Sequence, residues 1–428
     1  MLRFTTTQHF NFKGLPCIYE NGEYKLFDPF TLKQVSFVDK EILSSPETLT
    51  KLEKHGFVFY DKMPEYTQPK KEKHLTFILT TDCNMGCIYC YTESKRTKIN
   101  MDPFLALEII DAEIPDNYEG NLFVQFFGGE PTLNFTAIQL ITERIKEKCQ
   151  NPFFYITTNG IMRKHVFQYL AENKFGFYLS LDGTKEFNDI NRITLKGSGT
   201  FDKVYETLTK VLSNELPLKI RATITSTTVD NMHIFAEEMF KIGVKLLQFT
   251  PIAHVGYAVD HDFLEENEAF QNRYVTNLSL ALDIAKKYNA RILTSISLAL
   301  KIPPKPYCKI FHDDTKILIT PEGKRTLCYG VQTNSNTNSD KFLYADFDRQ
   351  EKNFSCQSEI RTEILDAYEK VTVKYCNNCF AQFMCNGGCF AGNLTSEGHM
   401  DKLDRNFCNM KRKETYMLLS RIINNQNA

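Results

Sequence analysis

Between residues 75 and 288 the chain repeats one alternation six times: a short apolar run, then a longer segment with helical periodicity. "LTFILTT" precedes "PFLALEIIDAEI", "NLFVQFFGGEP" precedes "FTAIQLITERIKEKC", and "FFYITTNG" precedes "HVFQYLAENK". "GFYLSLDG" then leads to "FDKVYETLTKVL", "LKIRATIT" to "NMHIFAEEMFKIG", and "KLLQFTPI" to a longer helix near 263–288. The strands read as continuous apolar runs, the pattern of a sheet covered by helices on both faces. Right-handed crossovers curl such units into a parallel sheet or partial (β/α)6 barrel, an α/β fold whose ligands sit beyond the carboxyl ends of the strands. Four unusual motifs fall at those ends: a cysteine loop, "GGEP", "TTNG" and "SLDG".

The loop, "DCNMGCIYCY" (82–91), spaces Cys83, Cys87 and Cys90 as C-x3-C-x2-C. Three thiolates leave a closed tetrahedral zinc site one ligand short, and His74 lies on the far side of a strand. Three corners of a [4Fe–4S] cube with one open iron suit the loop. With Tyr89 before the third cysteine, the spacing resembles the radical S-adenosylmethionine (SAM) superfamily. That resemblance implies a [4Fe–4S] cluster whose open iron is chelated by the amino and carboxylate groups of the cofactor methionine, and cleavage to a 5′-deoxyadenosyl radical that takes hydrogen from unactivated carbon. It further implies that Gly128 and Gly129 allow close backbone approach and that Glu130 pairs with the methionine ammonium. Ser180 and Asp182 would hold the ribose hydroxyls, Arg192 or Arg221 the methionine carboxylate, and Thr158 and Asn159 would pack near the nucleoside. Taken singly, each motif also reads as a turn or a surface charge.

After "PPKP" (303–306) the long periodic segments thin out and cysteines accumulate. Cys308, Gly323 and Cys328 are followed by Cys376-x2-Cys379-x5-Cys385-x3-Cys389 and by Cys408. A zinc ribbon accounts for Cys376, Cys379, Cys385 and Cys389 but not for the others. The pattern is similar to the seven-cysteine SPASM domain, which implies two auxiliary [4Fe–4S] clusters, three clusters in all. By motif order Cys308, Cys328 and Cys389 belong to the first, and Cys376, Cys379, Cys385 and Cys408 to the second. The first set is one thiol short: an open iron, a distant ligand such as Cys356, or a non-cysteine ligand completes it. Cys17, Cys149 and Cys356 are otherwise expected to be buried and inert. His312, Asp313 and Asp314 read as solvated loop residues, with proton transfer as the alternative.

Residues 1–70 form a further unit. "PCIYENGEYKLFD" reads as two strands about an Asn-Gly turn. A helix follows with Ser45 as cap, Pro46 in its first turn and Gly56 as its stop, and "FVFYD" reads as a returning strand. Such a module is winged-helix-like, and it resembles the peptide-recognition element of ribosomal peptide maturases, which takes an extended leader peptide as an added strand. The segment 64–74 reads as a linker. The expected organisation is 1–70 for this module, 75–300 for the partial barrel and 301–428 for the cysteine-rich iron–sulfur domain.

Net charge is −1 and offers nothing to nucleic acid or an anionic membrane. The amino terminus lacks the apolar core of a secretory signal. Thirteen cysteines without such a signal suit metal binding in a reducing, cytoplasmic setting. The function expected is that of a radical SAM oxidoreductase: a maturase that cross-links a precursor peptide through a thioether or carbon–carbon bond, served by an external electron donor of the flavodoxin or ferredoxin type. The alternatives are the anaerobic sulfatase-maturating type, which forms formylglycine, and a non-enzymatic zinc- or iron-binding module.

Overall fold

The computed structural model describes residues 8–29, 31, 33–59, 72–90, 98–252, 267–294, 296, 315–336, 338–385 and 387–425. The alternating segments form the seven neighbouring parallel strands β5 (Glu72–Thr80), β6 (Asn121–Gly128), β7 (Phe153–Thr158), β8 (Gly176–Ser180), β9 (Leu218–Ile224), β10 (Leu246–Pro251) and β11 (Arg291–Leu293). Helices α2 (Pro103–Glu113), α3 (Phe135–Lys148), α4 (Lys164–Glu172), α5 (Lys185–Asn191), α6 (Phe201–Ser213), α7 (Met232–Lys241) and α8 (Glu268–Lys287) connect them. Local chemistry sets the ends: Asp102 accepts from the Phe104 N–H at 3.0 Å with Pro103 behind it, and Asn267 accepts from the Phe270 N–H at 3.0 Å.

The strands are not apolar on both faces. Leu122, Val124 and Phe126 on β6, and Ile220, Ala222 and Ile224 on β9, are buried against the helices. The alternate positions, among them Gln125, Tyr155, Thr157, Tyr178, Ser180, Lys219, Arg221, Gln248 and Thr250, are only half-buried. They face a polar lumen. The expectation of helix-covered strands is corrected here: the period-two alternation is present in "LKIRATIT", and only one face packs on helices.

At the opposite edge β12 (Lys316–Ile319) pairs parallel with β5, and β13 (Lys324–Thr326), β14 (Leu343–Asp348) and β15 (Asn353–Cys356) extend the sheet as an antiparallel meander. The cysteine-rich region is thereby joined to the barrel by one continuous 11-stranded sheet. Gly323 closes the β12–β13 hairpin at φ +78, and a Cβ there would meet Leu105 at 2.9 Å. Helices α9 (Ser339–Phe342), α10 (Ser358–Val371), α11 (Gln382–Cys385), α12 (Phe390–Glu397) and α13 (Arg405–Asn425) complete this part. Among the described residues no helix is long and apolar enough to cross a membrane.

The front unit is a four-stranded antiparallel sheet, β1 (Phe10–Phe12), β2 (Leu15–Glu20), β3 (Glu23–Phe27) and β4 (Gln34–Phe37), followed by a 3-10 turn and helix α1 (Pro46–Lys54). Asn21 and Gly22 take positive φ in the β2–β3 turn, as a two-residue hairpin requires. Residues 57–59 form no strand, and 60–61 lie outside the described residues; the strand beside β3 is β4, which precedes the helix instead of following it. One face of this sheet packs on α1 through Leu15, Cys17, Leu26, Leu43 and Leu52. Ile18 and Phe27 on the other face join Phe380, Met384, Leu418 and Leu419 of the carboxyl-terminal region.

His9 sits in that junction. Its Nδ1 accepts from the Tyr19 N–H at 3.3 Å, and its ring lies 5.7 Å from Phe380 and 5.1 Å from Tyr416. Burial, with Arg412 adding to it, lowers the His9 pKa to about 4. In the unfolded chain a histidine titrates near 6.5, so below that pH the unfolded state binds the extra proton. The His9 contribution is intact above pH 6.5 and is lost as pH falls toward 4. Across that window the wild type should lose stability more steeply than His9→Gln, by up to about 1.4 kcal/mol per pH unit, in denaturant titrations.

Candidate active site at the carboxyl rim of the barrel

The cysteine loop continues β5 and is clamped on two sides. On one side the seam with β6 runs past the strand ends: the Gly129 N–H donates to the Thr80 carbonyl at 2.8 Å and the Glu130 N–H to the Asp82 carbonyl at 2.8 Å. Gly128 has φ +140, and a Cβ on it would lie 2.3 Å from the Thr80 oxygen; one on Gly129 would lie 2.2 Å from the Asp82 oxygen. These two glycines are needed because backbone meets backbone. On the other side the Gly86 N–H donates to Ile193 O at 2.8 Å and the Ile88 N–H to Asn191 O at 3.1 Å.

Glu130 is fully buried and accepts from four donors: the Thr132 N–H at 3.2 Å, Thr132 Oγ1 at 2.7 Å, Thr158 Oγ1 at 2.9 Å and the Asn159 N–H at 2.8 Å. It ties the end of β7 to the end of β6. Burial pushes its pKa up against those hydrogen bonds. Three of these bonds fall on Oε1, and Oε2 takes the Asn159 N–H and shares the Thr158 hydroxyl, so the carboxylate braces the rim. The Asn159 side-chain amide donates to Asn84 Oδ1 at 2.7 Å and to the Cys83 sulfur at 3.6 Å. Asn159 therefore acts on the loop itself, and Thr158 acts on Glu130.

Tyr89, Asp182 and Arg192 converge in a buried network. The Tyr89 hydroxyl donates to Asp182 Oδ2, and Arg192 Nη1 donates to the Tyr89 oxygen at 2.7 Å. Asp182 Oδ1 accepts from the Thr223 N–H at 3.0 Å. Burial works against charge on Arg192, but Cys87, Tyr89 and Asp182 outweigh it and hold the guanidinium cationic. Arg192 Nε is buried with no acceptor among the described residues. Neither Asp182 nor Arg192 stands in the open lumen. Ser180 and Arg221 do: they are register partners on β8 and β9, half-buried on the lumen face.

Burial and mutual charge connect the remaining cysteines. Cys376 is raised to about 12 by burial, then by Cys379 and Cys408, and Cys385 is raised by burial, then by Cys408, Cys376 and Cys379. These four thiols are gathered between α10 and α13. Burial raises Cys328 to about 12, and Cys389 adds to it. Cys308, His312, Asp313 and Asp314 lie outside the described residues. Cys17 and Cys149 are buried, but Cys356 is exposed at the end of β15, which corrects its expected burial: as the edge-strand partner of Ala345 it meets solvent.

The donor sets are soft thiols, the ligands suited to iron–sulfur clusters. Among the described residues no group of three or more Cys, His, Asp or Glu side chains converges tightly enough for one metal ion; in a multinuclear cluster each thiolate takes its own iron. The orphaned Arg192 Nε–H beside the Cys87 loop, and Arg221 without a carboxylate partner among the described residues, leave donors for an anionic ligand at the same rim. The residues present thus fit a cluster with S-adenosylmethionine.

Residues 77–239 match the family model for the Radical SAM superfamily. That segment is similar to radical SAM domains, a family that implies a [4Fe–4S] cluster and S-adenosylmethionine. The chain is 27% identical over 180 residues to a cysteine-type anaerobic sulfatase-maturating enzyme of Clostridium perfringens, covering 40% of this chain and 49% of the relative. It spans about half to three-fifths of the length of the first curated relatives it matches. Its fold is similar to the solved structure of anSMEcpe with bound AdoMet and Cp18Cys peptide, with TM-score 0.65, 19% identity and coverage of 83% of this chain and 99% of that one. Streptococcus suis SuiB bound to S-adenosylmethionine gives TM-score 0.57 at 16% identity, covering 94% and 100%.

Sequence reasoning named Tyr89, Asp182 and Arg192 separately and missed their mutual bonding, because only the fold brings positions so far apart in the chain together. Replacing Arg192 with Met removes the buried cation that offsets the Asp182 carboxylate, which keeps its bonds to Tyr89 and Thr223, with an expected loss of about 3–5 kcal/mol. Tyr89→Phe removes one hydroxyl and should cost about 1–3 kcal/mol. Chemical denaturation of the two variants beside the wild type checks the ranking.

Proposed function

We propose that the protein is a radical SAM maturase of a ribosomally made peptide, joining a substrate carbon to a thiolate or to another side chain. The observation that carries this reading is the arrangement of thiols. Three occupy the rim loop, Cys376, Cys379, Cys385 and Cys408 lie near one another at and before the start of α13, and Cys328 lies near Cys389, in a region whose strands continue the barrel sheet. SuiB, which shares the fold over nearly the whole chain, has been solved bound to the precursor peptide SuiA.

With its cluster and S-adenosylmethionine bound, such a site supplies hydrogen abstraction from an unactivated carbon. Cys83, Cys87 and Cys90 hold the cluster on a loop fixed by the Gly128–Glu130 seam and by Arg192. Arg221 offers its guanidinium to the methionine carboxylate, and Ser180 its hydroxyl to the ribose. Tyr155, Tyr178 and Gln125 line the lumen in which the substrate is oriented and water is limited. Cys308, Cys328 and Cys389 serve a first auxiliary cluster, and Cys376, Cys379, Cys385 and Cys408 a second. The front module, residues 1–70, docks the leader peptide along β4. The other edge, β1, is already tied by the Asn11 N–H to the Asn378 carbonyl at 3.1 Å. The barrel spans 75–300 and the auxiliary domain 301–428, and a cytoplasmic flavodoxin or ferredoxin type donor supplies the electrons.

A second reading, oxidation of Cys or Ser to formylglycine in a sulfatase-type target, is favoured by the identity to the sulfatase-maturating enzyme and by the TM-score of 0.65. Mass spectrometry separates the two. Incubation with a short peptide encoded beside the gene should remove one hydrogen pair and leave a cross-linked fragment. An aldehyde formed on a Cys or Ser peptide instead selects the second reading.

Three clusters correspond to about twelve iron atoms per chain. Iron and sulfide assay of anaerobically purified protein should approach that figure, and replacing Cys83, Cys87 and Cys90 with Ala should remove about a third of it. Zinc without iron overturns the reading.

A further inference from the structure

The lumen carries positive charge that the described residues do not neutralise. Lys219 and Arg221 lie two positions apart on β9 and share its lumen face, about 6–7 Å apart along the strand. Lys219 Nζ stands 3.6 Å from the centroid of the Tyr178 ring, its register partner on β8, and Tyr178 stacks on Tyr155 at 5.5 Å. The ring face offsets only part of the desolvation of an ammonium. Burial and then Arg221 lower the Lys219 pKa to about 8. The neighbouring wall is neutral: Gln125 Nε2 donates to Thr157 Oγ1 at 2.9 Å, and the Tyr329 hydroxyl donates to Gln125 Oε1 at 3.3 Å. Among the described residues no carboxylate is bonded to Lys219 or Arg221. Half-buried like charges set side by side without a counter-ion mark a place where a ligand brings the opposite charge.

The methionine carboxylate supplies one anion and meets Arg221, the cation nearer the cysteine rim. Lys219 lies one strand repeat deeper and is left over. We propose that Lys219, seated over Tyr178, forms a subsite for a carboxylate of the substrate. The inference rests on the lumen being the substrate channel of the proposed maturase, and it adds a chemical class: the substrate segment that enters carries a free carboxylate. An Asp or Glu side chain and a chain carboxyl terminus are the two sources of that group. The carboxylate accepts a charge-assisted hydrogen bond from Nζ and balances the pair of cations. An isosteric amide gains neither.

The test is calorimetric binding to the anaerobically purified full-length protein with S-adenosylmethionine bound. The probes are Ac-Gly-Glu-Gly-NH2, its Gln counterpart, Ac-Gly-Gly-Gly-OH, and the non-peptide pair glutarate and glutaramide. At least one carboxylate probe should bind about tenfold more tightly than its amide, the preference falling within about twofold in Lys219→Met and surviving in Lys219→Arg. Which peptide shows the preference identifies the source of the carboxylate. Equal or undetectable binding of acid and amide by the wild type overturns the proposal, as does a preference that persists in Lys219→Met. A preference present without S-adenosylmethionine and lost with it assigns Lys219 to the cofactor and overturns it too. Discrimination of glutarate without peptide binding upholds the subsite and removes the peptide reading instead. If Lys219→Met fails to fold, Lys219→Gln replaces it, and a preference that persists in Lys219→Gln overturns the proposal.

Discussion

The hydrogen bonds that carry β5 and β6 past the ends of their ladder are what the rim depends on. Through them the Thr80 and Asp82 carbonyls hold the Gly129 and Glu130 amides at 2.8 Å, and the cysteine loop leaves the sheet in one direction only. No side chain fits in that seam, since a Cβ on either glycine would lie within 2.3 Å of a carbonyl oxygen. Glu130 then spends its carboxylate on Thr132, Thr158 and Asn159, and Asn159 reaches back to the Cys83 sulfur. The motifs at the ends of β5, β6 and β7 form one braced unit around the loop, and a site that must hold a cluster in fixed geometry gains from such rigid support.

The opposite side of the loop is held by charge in place of backbone. Arg192 lies buried between Tyr89 and the Cys87 region, with Asp182 beyond the tyrosine hydroxyl. A buried cation of this kind is stable only while its partners stay in place. Negative charge on the loop thiolates therefore adds to the stability of the network that positions them. In the proposed reading, cofactor geometry and fold stability share the same residues at this point, beside an open lumen.

Much of this architecture was legible in the chain. The six β/α units stand where the apolar and helical periodicities put them, because each unit is local and its caps, such as Asp102 before Pro103, are written in adjacent residues. Three features were not legible. The parallel return of β12 beside β5 depends on a pairing across more than 200 residues, and the short strands of the meander β13–β15 carry little periodic signal. The lumen was masked because Tyr, Phe and Thr blur the difference between an apolar and a polar face, so "GFYLSLDG" read as apolar throughout. The Tyr89–Asp182–Arg192 network joins three loops whose proximity only the folded sheet creates. The order of the β1–β4 module was missed because Phe57–Phe59, apolar enough for a strand, packs on the module's core without entering its sheet.

The central claim is that the loop at 83–90 holds the cluster that cleaves S-adenosylmethionine, while the carboxyl-terminal cysteines do other work. Chromatographic measurement of 5′-deoxyadenosine tests it directly. Anaerobically purified wild type, supplied with S-adenosylmethionine and dithionite, should release the nucleoside. The Cys83→Ala, Cys87→Ala and Cys90→Ala protein should fall to background, and the Cys376→Ala, Cys379→Ala protein should retain cleavage. Nucleoside release that survives loss of the three loop cysteines would contradict the claim.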